Sequence, residues 1–162
     1  MTGIMKRLSD LLDGSEVGYE TIHHHADYRA TQAAADTHTT PEEFAKTVFV
    51  WIDGQYALAV LPATHTVSVR KLSHSLGANE IRLASEWEMK DLCPDAEVGA
   101  APPFGNLFDL PVYVCPALAR DESITFNAGT HTDAVRMAYE DFERLTQAQV
   151  VHMSKHEGAA AE

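Results

Sequence analysis

Three stretches of this sequence carry residues whose type and spacing could do chemistry. The first is F-A-K-T-V-F-V, where Lys46, followed by Thr47, directly precedes the most apolar run in the chain. Lysines are rarely fully buried, so one at the mouth of a central strand either snorkels to solvent or is held to bind a phosphate or polarise a carbonyl. The second is V-G-A-A-P-P-F-G-N, Val98 to Asn106, with almost no reactive side chains. Pro102 and Pro103 each lock φ and lack an N–H, Ala101 is pushed out of the α region, and Gly99 and Gly105 admit positive φ or close approach. Such a segment is either a stiff surface turn or a loop whose main chain is the working group, with Gly99, Ala100 and Ala101 beside the prolines. The third is F-N-A-G-T-H-T-D, Phe126 to Asp133, where a strand is expected to break at Gly129. That turn, with Thr130, His131 and Asp133, reads as a binding loop or as a plain strand-to-strand connection.

Other chemistries find little support. His23-His24-His25 lies inside the chain, and adjacent residues on a strand point to opposite faces, so the run cannot ligate one metal from one side. No zinc or facial-triad spacing, nucleophile elbow or P-loop occurs, so no metal and no cofactor is expected. Cys93 and Cys115 follow no metal spacing and read as reduced thiols. Glu42-Glu43 reads as capping at a helix start.

The elements that must position these residues follow from periodicity. Ile4, Leu8, Leu11 and Leu12 predict a short amphipathic helix stopped at Gly14, Tyr19 to His23 a strand, and Ala30 to Ala35 a helix. Thr40-Pro41-Glu42-Glu43 predicts a helix start with Thr40 as N-cap. Lys46 to Asp53 and Tyr56 to Pro62, separated by Gly54-Gln55, predict a central hairpin covered on both faces. Ser68 to Leu76 ends as a helix at Gly77, and Ser85 with Glu88 forms a capping box for the next helix. Pro111 to Cys115 and Ser123 to Asn127 read as strands and Tyr139 to Leu145 as a helix, while Thr132 to Met137 fits either state. The expectation is one α/β (α+β) domain, residues 1–152, followed by a disordered tail over 153–162 that is alanine-rich from Glu157.

At 162 residues the chain can bury a real core, no apolar run is long enough for a membrane span, and no signal peptide is visible. A cytoplasmic protein with no membrane partner is expected. The net charge of −12 argues against general attraction to nucleic-acid backbones, so any RNA contact must be local.

The lysine opening a central hairpin, the G-A-A-P-P-F-G loop, the F-N-A-G-T-H turn and the D-F-E-R-L helix, in that order, resemble the prolyl-tRNA synthetase editing-domain superfamily and its free-standing YbaK-like members. The resemblance covers about Tyr19 to Val151. It implies a mixed, barrel-like β-sheet core surrounded by short helices, and hydrolysis of mischarged aminoacyl-tRNA without metal or cofactor. It also implies that Lys46 is catalytic, contacting the substrate near the terminal adenosine and ester. Gly99, Ala100, Ala101, Pro102 and Pro103 would bind and fence the aminoacyl group, with Thr47, Gly129 and His131 also lining substrate. Thr47 stands where alanine-specific members tend to have asparagine. The implied partners are a tRNA acceptor end and an aminoacyl-tRNA synthetase. The alternatives are a non-catalytic module of the same fold, binding an aminoacyl-tRNA, a nucleotide or a partner protein, and a small-molecule esterase.

Overall fold

The computed structural model describes residues 3–156. The chain opens with helix α1 (Gly3–Gly14), strand β1 (Tyr19–His23) and helix α2 (Ala30–Asp36). Ile4, Leu8 and Leu12 of α1 recur at helical spacing and are fully buried, so the helix is held by its apolar stripe. The hairpin follows as β2 (Phe44–Ile52) and β3 (Gln55–Pro62). Its two-residue turn is Asp53-Gly54, with φ of 45° and 95°, the left-handed pair that matches the twist of the flanking strands. Next come β4 (His65–Val67), α3 (Val69–Leu76), β5 (Ile81–Leu83) and α4 (Glu86–Leu92). Ser68 caps α3, Gly77 closes it at φ 65°, and Ser85 with Glu88 completes the capping box on α4. A short 3-10 turn (Gly105–Leu107) leads to β6 (Val112–Val114), α5 (Pro116–Ala119), β7 (Ser123–Thr130) and β8 (Asp133–Ala138). Helix α6 (Tyr139–Thr146) and strands β9 (Gln149–Val150) and β10 (Ser154–His156) complete the described chain.

The main sheet is mixed and curls into a half-barrel, with order β1-β8-β7-β2-β3-β6-β9 and β5 beside β2. β10 and β4 pair separately. Side chains of β3 alternate between two cores: Leu58 and Val60 pack with α1 and α6, Ala57, Ala59 and Leu61 with Leu72 of α3. The near-continuous apolar run of β3 is therefore the signature of a strand covered on both faces.

One irregularity of the sheet positions the site. β2 and β7 run parallel but pair only at Phe44↔Thr125 and Ala45↔Phe126. From Val50 onward, β2 has β5 as its neighbour instead. Where the strands part, the segment Glu97–Ala101 enters: the Glu97 N–H donates to Gly129 O at 2.8 Å, and the Gly129 N–H donates to Ala100 O at 2.8 Å. A crevice between diverging parallel strands, on their carboxyl side, is where open sheets place ligands.

Several expectations are corrected. Thr40 to Glu43 forms one turn, with Glu43 and Phe44 N–H groups on Thr40 O, and no helix follows because the apolar run from Phe44 commits to the sheet. Glu42-Glu43 therefore caps nothing. The hairpin turn sits one residue earlier than Gly54-Gln55. β7 does not break at Gly129 but continues to Thr130 through a bulge, with Gly129 at φ 105°. Thr132 to Met137 resolves as strand, since β8 has β1 and β7 on either side. Met153 is fully buried and β10 pairs with β4, so residues 153–156 belong to the fold rather than to a tail. The expected tail from Glu157 lies outside the described residues.

Candidate active site

The Val98–Asn106 loop is not a surface turn. Ala100, Pro102, Pro103, Phe104 and Gly105 are buried. Gly99 adopts φ 85°, a conformation that disfavours any side chain. Gly105 is needed for a different reason: a Cβ there would lie 2.0 Å from Leu110 O.

Two small adjoining cells flank the loop and share Thr47, Gly99 and Ala101. The first is polar, bordered also by Asp27, Tyr28, Lys46, Asn127 and His131, with about 20 Å³ of space. The second is mostly apolar, bordered by Phe49, Met89, Cys93 and Ala96, with about 10 Å³. Each holds about one water molecule. Thr47 shares a face with the core residues Ala45 and Phe49, while Lys46 shares the opposite face of β2 with Phe44, beneath α2.

The structure thus brings Lys46, Thr47, Gly99, Ala101 and His131 to one place. Ala100, Pro102 and Pro103 do not border either cell and support the loop from behind; Gly129 anchors it through the main-chain bonds described above. His131 is buried, and its ring nitrogens lie 2.9 Å from Asp27 O and 2.8 Å from Val98 O. Its own N–H donates to Glu97 Oε1 at 2.6 Å. The ring is committed to holding two main-chain segments, and Tyr28 lies over it with ring centroids 4.7 Å apart.

Two oxygens at this site stand out. Thr47 Oγ1 and Asn127 Oδ1 are both buried and neither meets a hydrogen-bond partner. Such groups are costly unless a ligand completes them. Asn127 carries no signal of its own in the sequence, because it reads as part of a strand. Asp27 and Tyr28 are equally unmarked; they lie in irregular chain after β1, where no period singles them out. Asp27 is itself buried, with His24 Nδ1 3.2 Å from its Oδ2, and donating a hydrogen bond to Asp27 holds the Asp36 carboxyl above its ordinary range. His24 is buried and His23 turns outward to Asp133, and because β1 ends at His23 the split of the histidine run does not come from strand alternation. Burial, reinforced by Asp95, pushes the Cys93 thiol up to about 12, so this wall of the second cell presents a neutral thiol, not a nucleophile. Among the described residues no group of three His, Cys, Asp or Glu side chains gathers as a metal site.

The half-barrel, with a buried proline loop filling the fork between two parallel strands and a lysine at its lip, defines an editing-type domain. Comparisons agree: the aminoacyl-tRNA editing domain family matches residues 24–145, and the chain belongs to that family. It is 26% identical over 155 residues to the Escherichia coli Multifunctional Ser/Thr-tRNA deacylase ProXp-y, covering 93% of this chain and 92% of that protein. It is 37% identical over 78 residues to the Proline--tRNA ligase of Halalkalibacterium halodurans, but spans only 14% of that enzyme's length and 48% of its own. A solved structure described as a candidate trans-editing enzyme for prolyl tRNA synthetase shares the fold, with a TM-score of 0.83 at 20% identity, covering 96% of this chain and 99% of that one.

Proposed function

We propose that this protein hydrolyses the ester joining a wrongly attached amino acid to the terminal adenosine of a tRNA. One observation carries the reading: Lys46, the Gly99–Ala101 main chain and two unpartnered buried oxygens converge on one cleft at the fork of β2 and β7. In this mechanism Lys46 holds the acceptor end and the charge that develops on it. Water attacks the ester carbonyl, assisted by the substrate's ribose hydroxyl. The loop stabilises the oxyanion through main-chain N–H groups. Pro102 and Pro103 have none and the Ala100 N–H is taken by Glu97 O, which leaves those of Gly99 and Ala101. Rigidly held donors of this kind gain in the transition state because they need no reorganisation.

The aminoacyl side chain sits where the two cells meet, beside Thr47 and Ala101, and the small size of the cells excludes bulky amino acids. The lone Thr47 Oγ1 favours a side chain bearing a hydroxyl, seryl or threonyl, the classes named for the E. coli relative. The mechanism asks no residue to hold a metal. The chain acts in trans on tRNA, in concert with an aminoacyl-tRNA synthetase. It works in the cytoplasm; no helix of the described chain is long and apolar enough to cross a membrane.

The test is hydrolysis of a panel of aminoacyl-tRNAs, correct and mischarged. Seryl- or threonyl-tRNA is expected to be cleaved fastest, with EDTA leaving the rate unchanged. Lys46→Ala is expected to fold normally and lose about 10²-fold or more in rate, the scale of removing one charge-stabilising group. A fully active Lys46→Ala variant would remove the lysine from the mechanism, and zinc-dependent recovery after EDTA would overturn the metal-free chemistry.

A further inference from the structure

A cleft much larger than the two cells at the fork lies elsewhere on the molecule. It encloses about 800 Å³ and is walled by α3 (Arg70, Lys71, His74), by Cys115 before α5, by His152 in the link from β9 to β10, and by Ser154 at the start of β10. Its surroundings are electrostatically unlike the rest of the molecule. The chain has 24 acidic residues, yet none falls in residues 54–79, 110–120 or 144–156, the three segments that build this cleft and together nearly a third of the sequence. The same segments carry Arg70, Lys71, Arg120, Arg144 and Lys155, and four histidines. Arg70, Lys71 and His74 are exposed on α3, with Leu72 anchoring the opposite side in the core. The residues that line the cleft thus include two cations and two histidines and no carboxylate.

The cleft adjoins the β4–β10 ribbon. His65 Nδ1 lies 2.7 Å from Ser154 Oγ, and Lys71 Nζ donates to Ser154 O at 3.0 Å. The His65 imidazole is held below its ordinary value first by burial and then by the charges of His156, Lys46 and Lys71. His65, on the β4–β10 ribbon, therefore feels both Lys46 and Lys71, with Glu42 acting against them.

We infer that this cleft binds the phosphodiester backbone of the RNA whose 3′ end occupies the fork. The inference rests on the deacylase reading for the identity of the RNA. A net charge of −12 repels a polyanion everywhere except where like charge has been removed, so affinity must come from this local cationic face. Arginine and lysine on an exposed helix suit phosphate oxygens and read no sequence, which positions the substrate without choosing it.

The experiment compares wild type, Arg70→Glu, the double variant Arg70→Glu/His74→Glu, and Arg70→Lys on two substrates, a mischarged tRNA and the matching aminoacyl-adenosine ester. Binding of uncharged tRNA and of pyrophosphate is followed against salt. The expected result is a KM for tRNA raised about tenfold by Arg70→Glu at low salt, with kcat unchanged, aminoacyl-adenosine hydrolysis unchanged and Arg70→Lys near wild type. The slope of log affinity against log salt should become shallower by about 0.9 for each phosphate that the variant no longer neutralises. Unchanged tRNA KM in the double variant overturns the inference. So does loss of pyrophosphate binding with tRNA KM intact, which would make the cleft a site for free phosphates. A wild type that binds uncharged tRNA through Arg70 yet hydrolyses neither ester would support the cleft and refute the deacylase reading.

Discussion

Thr47 buries a hydroxyl with nothing to bond, at the boundary between the polar and apolar cells. If that hydroxyl meets a hydroxylated amino acid, Thr47→Val keeps the shape and removes the bond. The expected outcome is a loss on seryl- and threonyl-tRNA of about 3- to 10-fold, the worth of one net hydrogen bond, with alanyl-tRNA hydrolysis held or raised, read as kcat/KM on each. Asp121 has a different problem. Burial, with Glu43 nearby, raises its carboxyl to about 6, and its Oδ2 finds no partner. From about pH 4 to 6 the folded state keeps a proton that the unfolded chain has released, so this residue's contribution to stability falls as pH rises through that window. Above it the deficit is complete. Asp121→Asn is therefore expected to raise Tm at pH 7–8 and change it little at pH 4; equal Tm shifts at both values would contradict this.

The proline loop owes its placement to its neighbours. Its two main-chain bonds to Gly129 stitch it to β7, and His131 pins Val98. Ala101 is the loop side chain that borders both cells, so it sets how much room the aminoacyl group has. Ala101→Leu is expected to lower kcat/KM on threonyl-tRNA more than on alanyl-tRNA, by roughly 10- to 200-fold in the ratio, the range for a methylene-sized mismatch. Equal losses on every substrate would mean that the substitution displaces the loop instead of narrowing the cell. Ala100, one residue earlier, cannot play this part, because it is fully buried behind the loop.

At the scale of the whole molecule, the two cores on either side of β3 are closed by different parts of the chain. The core under α3 depends on Val151 and Met153, near the end of the described chain. Ser68 N–H donates to Met153 O at 2.7 Å, so this final stretch also holds the start of α3. Truncation after His152 removes Met153 and β10 together. It is expected to cost about 2–5 kcal/mol, the range for deleting a large buried side chain, seen as a lower Tm. An unchanged Tm would return residues 153–156 to the status of a tail.

How much of this was legible beforehand follows from the range of the forces involved. Helix caps at Ser68 and Ser85, the β2–β3 hairpin and the α1 stripe are local, so their signals lie within a few residues of the structures they make. Lys46, the proline loop and the Gly129–His131 turn were recognisable as separate motifs, because special residue types mark special backbone. Nothing local revealed that β2 and β7 pair for two residues and then part, or that Glu97–Ala101 fills the gap. Nor could it place Asp27, Tyr28 and Asn127 beside Lys46. Thr40-Pro41-Glu42-Glu43 shows the same limit from the other side: its helix signals are good, but Phe44 and its successors gain more from the sheet. Local signals set the caps, the hairpin, the amphipathic first helix and the rigid loop. Only the tertiary structure decided where they meet, because the crevice exists through long-range strand pairing and its interruption.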